Sequence, residues 1–242
     1  MSLRSALSNI TIVRKAVRLF VALGDNVRPI VQRPLIKEFI MAEPFERVFD
    51  AGCGTGMYTV IVLPKAKHVS ALDYSEQSIA KLRTRLAHHK HLDLYQGSAT
   101  DVPLEDNSFD LILHCEVLEH IQDDRKALSE LYRVCKPGGR MVISVPHPPA
   151  PIDDPNHVRE GYTREQLTAL LNEAGFQVEK CRYCMFGLSK KLIAFEDKWF
   201  NKTHLPLPTI VYVPLYIERW ISRNWGTEKQ PYDMILQVRK AA

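Results

Sequence analysis

The chain has 242 residues and a formal charge of +4, long enough for one large α/β domain with a full core and too weakly basic for a dedicated nucleic-acid binder. Its five cysteines, Cys53, Cys115, Cys135, Cys181 and Cys184, are odd in number and scattered, which argues against a disulfide framework and for a reducing, cytoplasmic setting. The best N-terminal apolar stretch, Thr11 to Leu23, is broken by Arg14, Lys15 and Arg18, which argues against a signal-peptide core or a membrane-spanning helix.

Leu3, Leu7, Ile10, Val13, Val17 and Phe20 recur every three or four residues, which predicts one apolar helix face. Gly24-Asp25-Asn26 ends that helix, and Pro29 and Pro34 punctuate a second helical stretch running to about Met41. Residues 1–45 thus read as an N-terminal helical cap. Its apolar stripe either packs on the domain or, because basic residues lie within it, makes a peripheral membrane contact. Strand and helix then alternate. Arg47–Asp50, His68–Asp73, Leu92–Gln96, Phe109–Cys115 and Arg140–Val145 are predicted strands, with helices near Met57–Leu63, Ser75–His89 and Asp123–Cys135. That alternation requires right-handed crossovers and a buried, doubly wound parallel sheet. Thr163-Arg164-Glu165-Gln166 is a capping-box start for a helix ending at Gly175, and Phe176–Tyr183 and Tyr232–Arg239 supply two last strands. Between them, residues 186–229 form an aromatic insertion carrying Phe195, Trp199, Tyr212, Tyr216 and Trp220. It is expected above the carboxyl ends of the strands as a lid, a packing subdomain, a membrane contact or a partner surface.

The chemistry begins at Val48-Phe49-Asp50-Ala51-Gly52-Cys53-Gly54-Thr55-Gly56. Glycine at positions 52, 54 and 56 permits positive φ and lets a ligand lie against the main chain. Asp73, at the end of the next apolar run, is placed to hold a ribose diol. The spacing G-x-G-x-G lacks the G-x-G-x-x-G that seats a pyrophosphate on a helix N-terminus. Asp50 before the first glycine suits a cofactor with a cationic amino-acid end better than one with two phosphates. Nucleoside binding is expected, and a dinucleotide is disfavoured.

Further along stand Gly97-Ser98-Ala99-Thr100-Asp101-Val102-Pro103-Leu104, Asn107-Ser108-Phe109-Asp110-Leu111, Glu116-Val117-Leu118-Glu119-His120 and Lys136-Pro137-Gly138-Gly139. Over roughly residues 46–180, this ordered set resembles the class I S-adenosylmethionine-dependent methyltransferases, in the branch similar to the ubiquinone-pathway O-methyltransferases. The resemblance implies a seven-stranded, mostly parallel Rossmann-like sheet in the order 3-2-1-4-5-7-6, with the last strand antiparallel, filling residues 46–242. It also implies N-terminal helices that cover the cofactor. For S-adenosyl-L-methionine it implies Asp50, Gly52, Gly54 and Gly56 at the methionine end, Tyr74 on the adenine beside Asp73, and Ser98 with Ala99 at the adenine edge. Ser98 departs from the usual aspartate there, and Asp101 is a substitute. The backbone of Cys115 falls beside the sulfonium.

On a helix, Glu116, Glu119 and His120 would share a face. Their oxygen and nitrogen donors suit Mg²⁺, Mn²⁺ or Zn²⁺. The E-x-x-E-H pattern resembles the metal element of small-RNA 2′-O-methyltransferases, and by that resemblance His157 completes the set. The other reading has Glu116 capping or pairing and His120 orienting substrate or acting as general base, with Glu119, His157 and then His147 beside it. The expected activity is methyl transfer to a small or lipid-like acceptor at oxygen. RNA ribose methylation and non-catalytic binding of S-adenosylmethionine are the rivals. An acceptor cavity closed off by Trp199, Tyr212 and Trp220 beside Cys115 would favour the last.

Overall fold

The computed structural model describes residues 27–40, 44–150, 155–203, 207, 209–225 and 231–242. The expected helix over residues 3–23, its Gly24-Asp25-Asn26 stop and the ends of the insertion loops at 204–206 and 226–229 lie outside the described residues. In chain order the elements are α1 (Val27–Ile30), α2 (Gln32–Ile40), β1 (Phe45–Ala51), α3 (Thr59–Val62), β2 (Ala66–Asp73), α4 (Glu76–Arg85), β3 (Leu92–Gln96), β4 (Phe109–Cys115), α5 (Asp124–Val134), β5 (Cys135–Pro146), α6 (Arg164–Glu173), β6 (Phe176–Cys184), α7 (Gly187–Thr203), α8 (Leu215–Trp225) and β7 (Asp233–Lys240). The strands form one seven-stranded sheet in the order 3-2-1-4-5-7-6. β7 runs antiparallel to both β5 and β6, and the remaining pairs are parallel.

Period-two alternation divides the sheet between two apolar layers. Val48, Leu111, Leu113 and Val142 face one layer with Val27, Leu35, Ile36 and Ile40 of α1 and α2. Phe49, Ile112, Met141 and Ile143 face the other, against Leu128 and Leu131 of α5 and Leu167 and Leu171 of α6. α5 forms because Ala127, Leu128, Leu131 and Val134 repeat at helical spacing and the Asp123 carboxylate caps it, accepting from Lys126 N–H at 2.9 Å. Thr163 and Gln166 make the expected capping box of α6. Two elements depart from expectation. The Met57–Leu63 helix shrinks to Thr59–Val62, because residues 54–58 are spent turning out of β1. The expected helix over Glu116–His120 is only a 3₁₀ turn, Leu118–His120, since Glu116 takes φ +57 and leaves the helical region.

The parallel strands deliver Asp50, Asp73 and Cys115 to one edge of the sheet, and antiparallel β7 begins there with Asp233. At that edge Gly52 has φ +86, and a Cβ on it would collide with the methyls of Val117. Gly54 has φ +50 with open space where a Cβ would go. Gly52→Ala is therefore expected to cost about 3 kcal/mol, from left-handed strain plus overpacking. Gly54→Ala should cost about 1 kcal/mol, from strain alone. Urea unfolding of the two variants checks this, and equal losses would mean that the Val117 contact is relieved without cost.

Candidate active site

A cleft of about 670 Å³ opens at this strand edge, lined by Gly52 and Gly54, by Asp73 and Tyr74, by Gly97–Thr100, and by Glu116, Val117 and His120–Asp123. The β1 turn is pinned over β2 by its own backbone. Gly52 and Cys53 N–H both donate to Leu72 O, at 2.7 and 2.9 Å. Gly54 N–H donates to Asp73 Oδ2 at 2.7 Å, and Ser75 N–H to Asp73 Oδ1 at 2.9 Å. Each Asp73 oxygen keeps acceptor capacity for a further donor. Tyr74 is 79% exposed beside it, a flat ring presented to the cleft.

Asp50 lies deeper and is buried, accepting from Thr59 Oγ1 at 2.6 Å. Burial pushes its carboxyl up to about 7; the neighbouring Asp73 adds to the rise and the Thr59 hydrogen bond opposes it. Behind the same turn sits His114, fully buried, with Nδ1 donating to Ala51 O at 2.9 Å. Burial holds that imidazole down at about 4, so it is neutral and serves as a strut under the glycine turn. Sequence reading had not singled it out.

Ser98 and Ala99 line the cleft, but the Ser98 hydroxyl is already engaged within its loop, bonding Thr100 Oγ1 at 2.7 Å and accepting from Thr100 N–H at 3.1 Å. Asp101, the expected substitute, is exposed and is not among the residues lining the cleft, whereas Asp123 is. Cys115 is buried at the end of β4 and the lining begins one residue later, at Glu116.

Glu116 does not converge with Glu119 and His120. Its positive φ turns the carboxylate the other way, where it accepts from Arg28 Nη2 at 2.9 Å, Gln32 Nε2 at 2.7 Å and Ser144 Oγ at 2.8 Å. Gln32 is fully buried and links Glu116 to Asp233 Oδ2 at 2.9 Å, while its own carbonyl accepts from Tyr58 OH. Arg28 lies 3.7 Å from Asp233, with its guanidinium over the Tyr232 ring. This polar network joins α1 and α2 to the ends of β4, β5 and β7. Sequence reading missed Arg28, Gln32, Tyr58, Tyr232 and Asp233; the one available signal was the four-residue spacing of Arg28 and Gln32, which puts both on one helix face.

Glu119, His120 and His157 do come together, each offering a ligand atom within 4.8 Å of the others. Glu119 is buried and His120 is partly exposed, with its Nε2 3.9 Å from Glu119 Oε1. His120 Nδ1 lies 3.0 Å from Asn156 O. A carbonyl can only accept, so Nδ1 carries a proton, and in the neutral ring Nε2 presents its lone pair. The His157 ring meets His120 edge-on at 4.6 Å. Arg159 clamps the turn below, donating to Leu118 O at 3.2 Å, Ile121 O at 2.9 Å and Gln122 O at 3.1 Å.

None of the described residues of the aromatic insertion lines the cleft. Tyr212 is buried, its hydroxyl donating to Glu196 at 2.7 Å, but Trp199 and Trp220 are exposed. Trp199, Tyr212 and Trp220 do not close off the cleft, the arrangement that would have favoured non-catalytic binding, because α7 and α8 leave both indoles exposed.

Residues 49–143 match the family described as methyltransferase domain. The chain is 35% identical over 139 residues to an S-adenosylmethionine-dependent methyltransferase of Mycolicibacterium smegmatis, covering 54% of this chain and 52% of that protein. It is 39% identical over 118 residues to a demethylmenaquinone methyltransferase of Clavibacter sepedonicus, covering 48% and 46%. The chain thus spans about half the length of the curated relatives it matches. Among solved structures, an S-adenosylmethionine-dependent methyltransferase from Mesorhizobium loti shares the fold with a TM-score of 0.59 at 17% identity, over 86% of this chain and 96% of that one.

The buried Asp50 carboxyl yields a prediction on stability. Its folded pKa, about 7, lies above the ordinary 3.8, so the folded state holds this proton more tightly. That contribution is full below pH 3.8 and is lost as pH rises through 7. Urea unfolding of the unliganded protein should show Asp50→Asn gaining about 1 kcal/mol on the wild type between pH 6 and pH 8. A constant difference across that window would mean that the Asp50 carboxyl does not titrate there.

Proposed function

We propose that the chain, whose residues 49–143 match a methyltransferase domain family, moves a methyl group from S-adenosyl-L-methionine to a small or lipid-like acceptor, at oxygen. The observation that carries this reading is the glycine turn over Asp73 facing, across one cleft, a histidine whose Nε2 lone pair is set by its partner. When bound, the cofactor supplies an electrophilic methyl on a cationic sulfur, so the protein needs to position, desolvate and deprotonate rather than activate a leaving group.

In this reading Asp73 receives the ribose hydroxyls on the lone pairs left by Gly54 and Ser75 N–H. Tyr74 stacks on the adenine, whose edge meets Ser98 and Ala99 through their backbone, since the Ser98 hydroxyl is engaged. Gly52 and Gly54 give the methionine portion access to the main chain, next to the Cys115 backbone, whereas Gly56 packs against Leu82 of α4 and is not among the residues lining the cleft. Asp50 ionises when a cationic amino-acid end approaches, since an opposite charge offsets the burial that now holds its proton. His120 Nε2 takes the acceptor proton, with Glu119 beside it to stabilise the imidazolium. The similarity to a demethylmenaquinone methyltransferase supports the acceptor class.

A second reading adds a divalent cation. Glu119, His120 and His157 supply one carboxylate and two imidazoles from neighbouring atoms, a donor set that fits Zn²⁺ or Mn²⁺ better than Mg²⁺, which takes oxygen ligands. Glu116 drops out as a ligand, held by Arg28, Gln32 and Ser144. Such an ion would lower the pKa of an acceptor hydroxyl. Calorimetric titration of Mn²⁺ into chelator-treated protein tests it directly: saturable heat lost in His157→Ala supports the ion, and none in the wild type removes it.

Two variants separate binding from chemistry. Asp73→Ala is expected to weaken calorimetric binding of S-adenosylmethionine roughly 100-fold, the loss of two charge-assisted hydrogen bonds; unchanged affinity would remove the ribose assignment. His120→Ala should leave that affinity in place while methyl transfer to a panel of phenols, hydroquinones and aliphatic acids falls about 100-fold. Equal loss of binding and turnover would make the histidine structural.

A further inference from the structure

α8 is built inside out. Its sequence LYIERWISRNW places Leu215, Glu218 and Ser222 on the buried face. Its solvent face carries Tyr216, Ile217, Trp220 and Ile221, exposed by 52, 66, 53 and 38%, with Val213 just before them at 53%. A surface helix ordinarily does the reverse, hiding its apolar stripe and showing its polar one. Single exposed apolar residues need no explanation, but a contiguous set covering a whole helix face does. Burying Glu218 is itself costly: desolvation raises its pKa, and its carboxylate is held by Ser189 N–H at 2.7 Å. The fold accepts a buried acid while leaving two aromatic and two branched side chains in water.

The neighbouring helix repeats the pattern. Leu188, Phe195 and Trp199 stand at i, i+7 and i+11, one stripe of α7, and are exposed by 43, 49 and 37%. At 100° per residue, Lys191, Lys198 and Lys202 flank that stripe on one side. All three are exposed. Of the acids on these two helices, Glu196 accepts from Tyr212, Glu218 is buried, and Asp197 falls on the side of α7 opposite the stripe. On α8 the cations border the apolar face: Arg219 lies over the Tyr216 ring and Arg223 pairs with Glu38 at 3.1 Å.

We propose that the outward faces of α7 and α8 dock on an anionic lipid surface. Aromatic rings with a polar edge, aliphatic side chains between them and a lysine border are the composition of a helix that lies in the headgroup region. A second copy of the chain is the poorer partner, since two-fold pairing of these faces would set like charges against each other. The contact is peripheral: among the described residues no helix is long and apolar enough to cross a membrane. It does not rest on the methyl-transfer reading, because none of these residues lines the cleft.

The test is co-sedimentation of the full chain with vesicles of phosphatidylcholine alone and of phosphatidylcholine with phosphatidylglycerol, with tryptophan emission followed in parallel. Binding to the anionic vesicles with a blue shift, weakened by added salt and at least about 10-fold weaker on phosphatidylcholine, is expected. Ile217→Glu with Trp220→Glu should reduce it about 10-fold or more, and Lys198→Glu with Lys202→Glu should reduce it and flatten the salt dependence. If the first pair fails to fold by circular dichroism, Tyr216→Ser with Ile221→Ser takes its place. Protein left in the supernatant with both vesicles would overturn the proposal. So would equal binding to both, or light scattering that shows a dimer, broken by Ile217→Glu, in protein that ignores vesicles.

Discussion

Everything at the strand edge depends on how the chain leaves β1. The turn must fold back over the end of β2 without a side chain in the way, and one carboxylate makes it hold. Asp73 accepts from Gly54 N–H with one oxygen and from Ser75 N–H with the other, while Leu72 O accepts from Gly52 and Cys53. The same residue therefore fixes the turn and faces the cleft. Gly52 has no room for a Cβ against Val117, which in turn lines the cleft from the far side of β4. Turn, sheet and the 116–123 segment are thereby held in one geometry rather than three independent ones. His114 adds a neutral strut to Ala51 O from β4.

Across the edge, a second constraint sets where α1 and α2 sit. Glu116 and Asp233 bring two carboxylates to strand ends on either side of β5, an arrangement that is costly unless cations and donors satisfy them. Gln32 bridges both and Arg28 lies against both. Removing either donor would leave a carboxylate short of partners in a buried setting, a larger loss than the net value of one hydrogen bond. The helices before β1 are thus tied into the domain by polar bonds as well as by Val27, Leu35 and Ile36. The segment reaching the strand ends most directly comes from the start of the described chain, and the aromatic insertion is turned elsewhere.

What could be read in the sequence, and what could not, follows from the range of each interaction. The strands and the glycine turn were legible because strand patterning, helix spacing and the Gly52–Gly56 motif are local signals, while the sheet order came from the family resemblance that those motifs carry. The geometry of Glu116-Val117-Leu118-Glu119-His120 was not. Periodicity assigns it an α-helix, but Arg28 and Gln32, 88 and 84 residues away in sequence, hold Glu116 at positive φ, and Arg159 holds the following turn through carbonyls 37 to 41 residues distant. Three of the four residues expected to cluster do so, and the fourth is diverted by partners no local pattern could reveal. The internal bond of Ser98 to Thr100 was equally hidden, since only a folded loop shows that the hydroxyl is engaged.

The insertion illustrates the opposite limit. Its aromatic content was plain in the sequence, and from composition alone a substrate lid and an outward-facing surface look the same. Burial distinguishes them. A lid needs Trp199 and Trp220 turned toward the cleft; both are exposed, while Glu218 and Ser222 occupy the buried face that an ordinary surface helix would fill with leucine or isoleucine. Folding alone would favour exchanging the two faces, because apolar burial stabilises and carboxylate burial costs. A helix that keeps the less stable arrangement is therefore shaped by what its outer face meets. If that is a lipid surface and the acceptor is lipid-like, the protein is held where its acceptor partitions, and the cleft needs no wall of its own from α7 or α8 to find it.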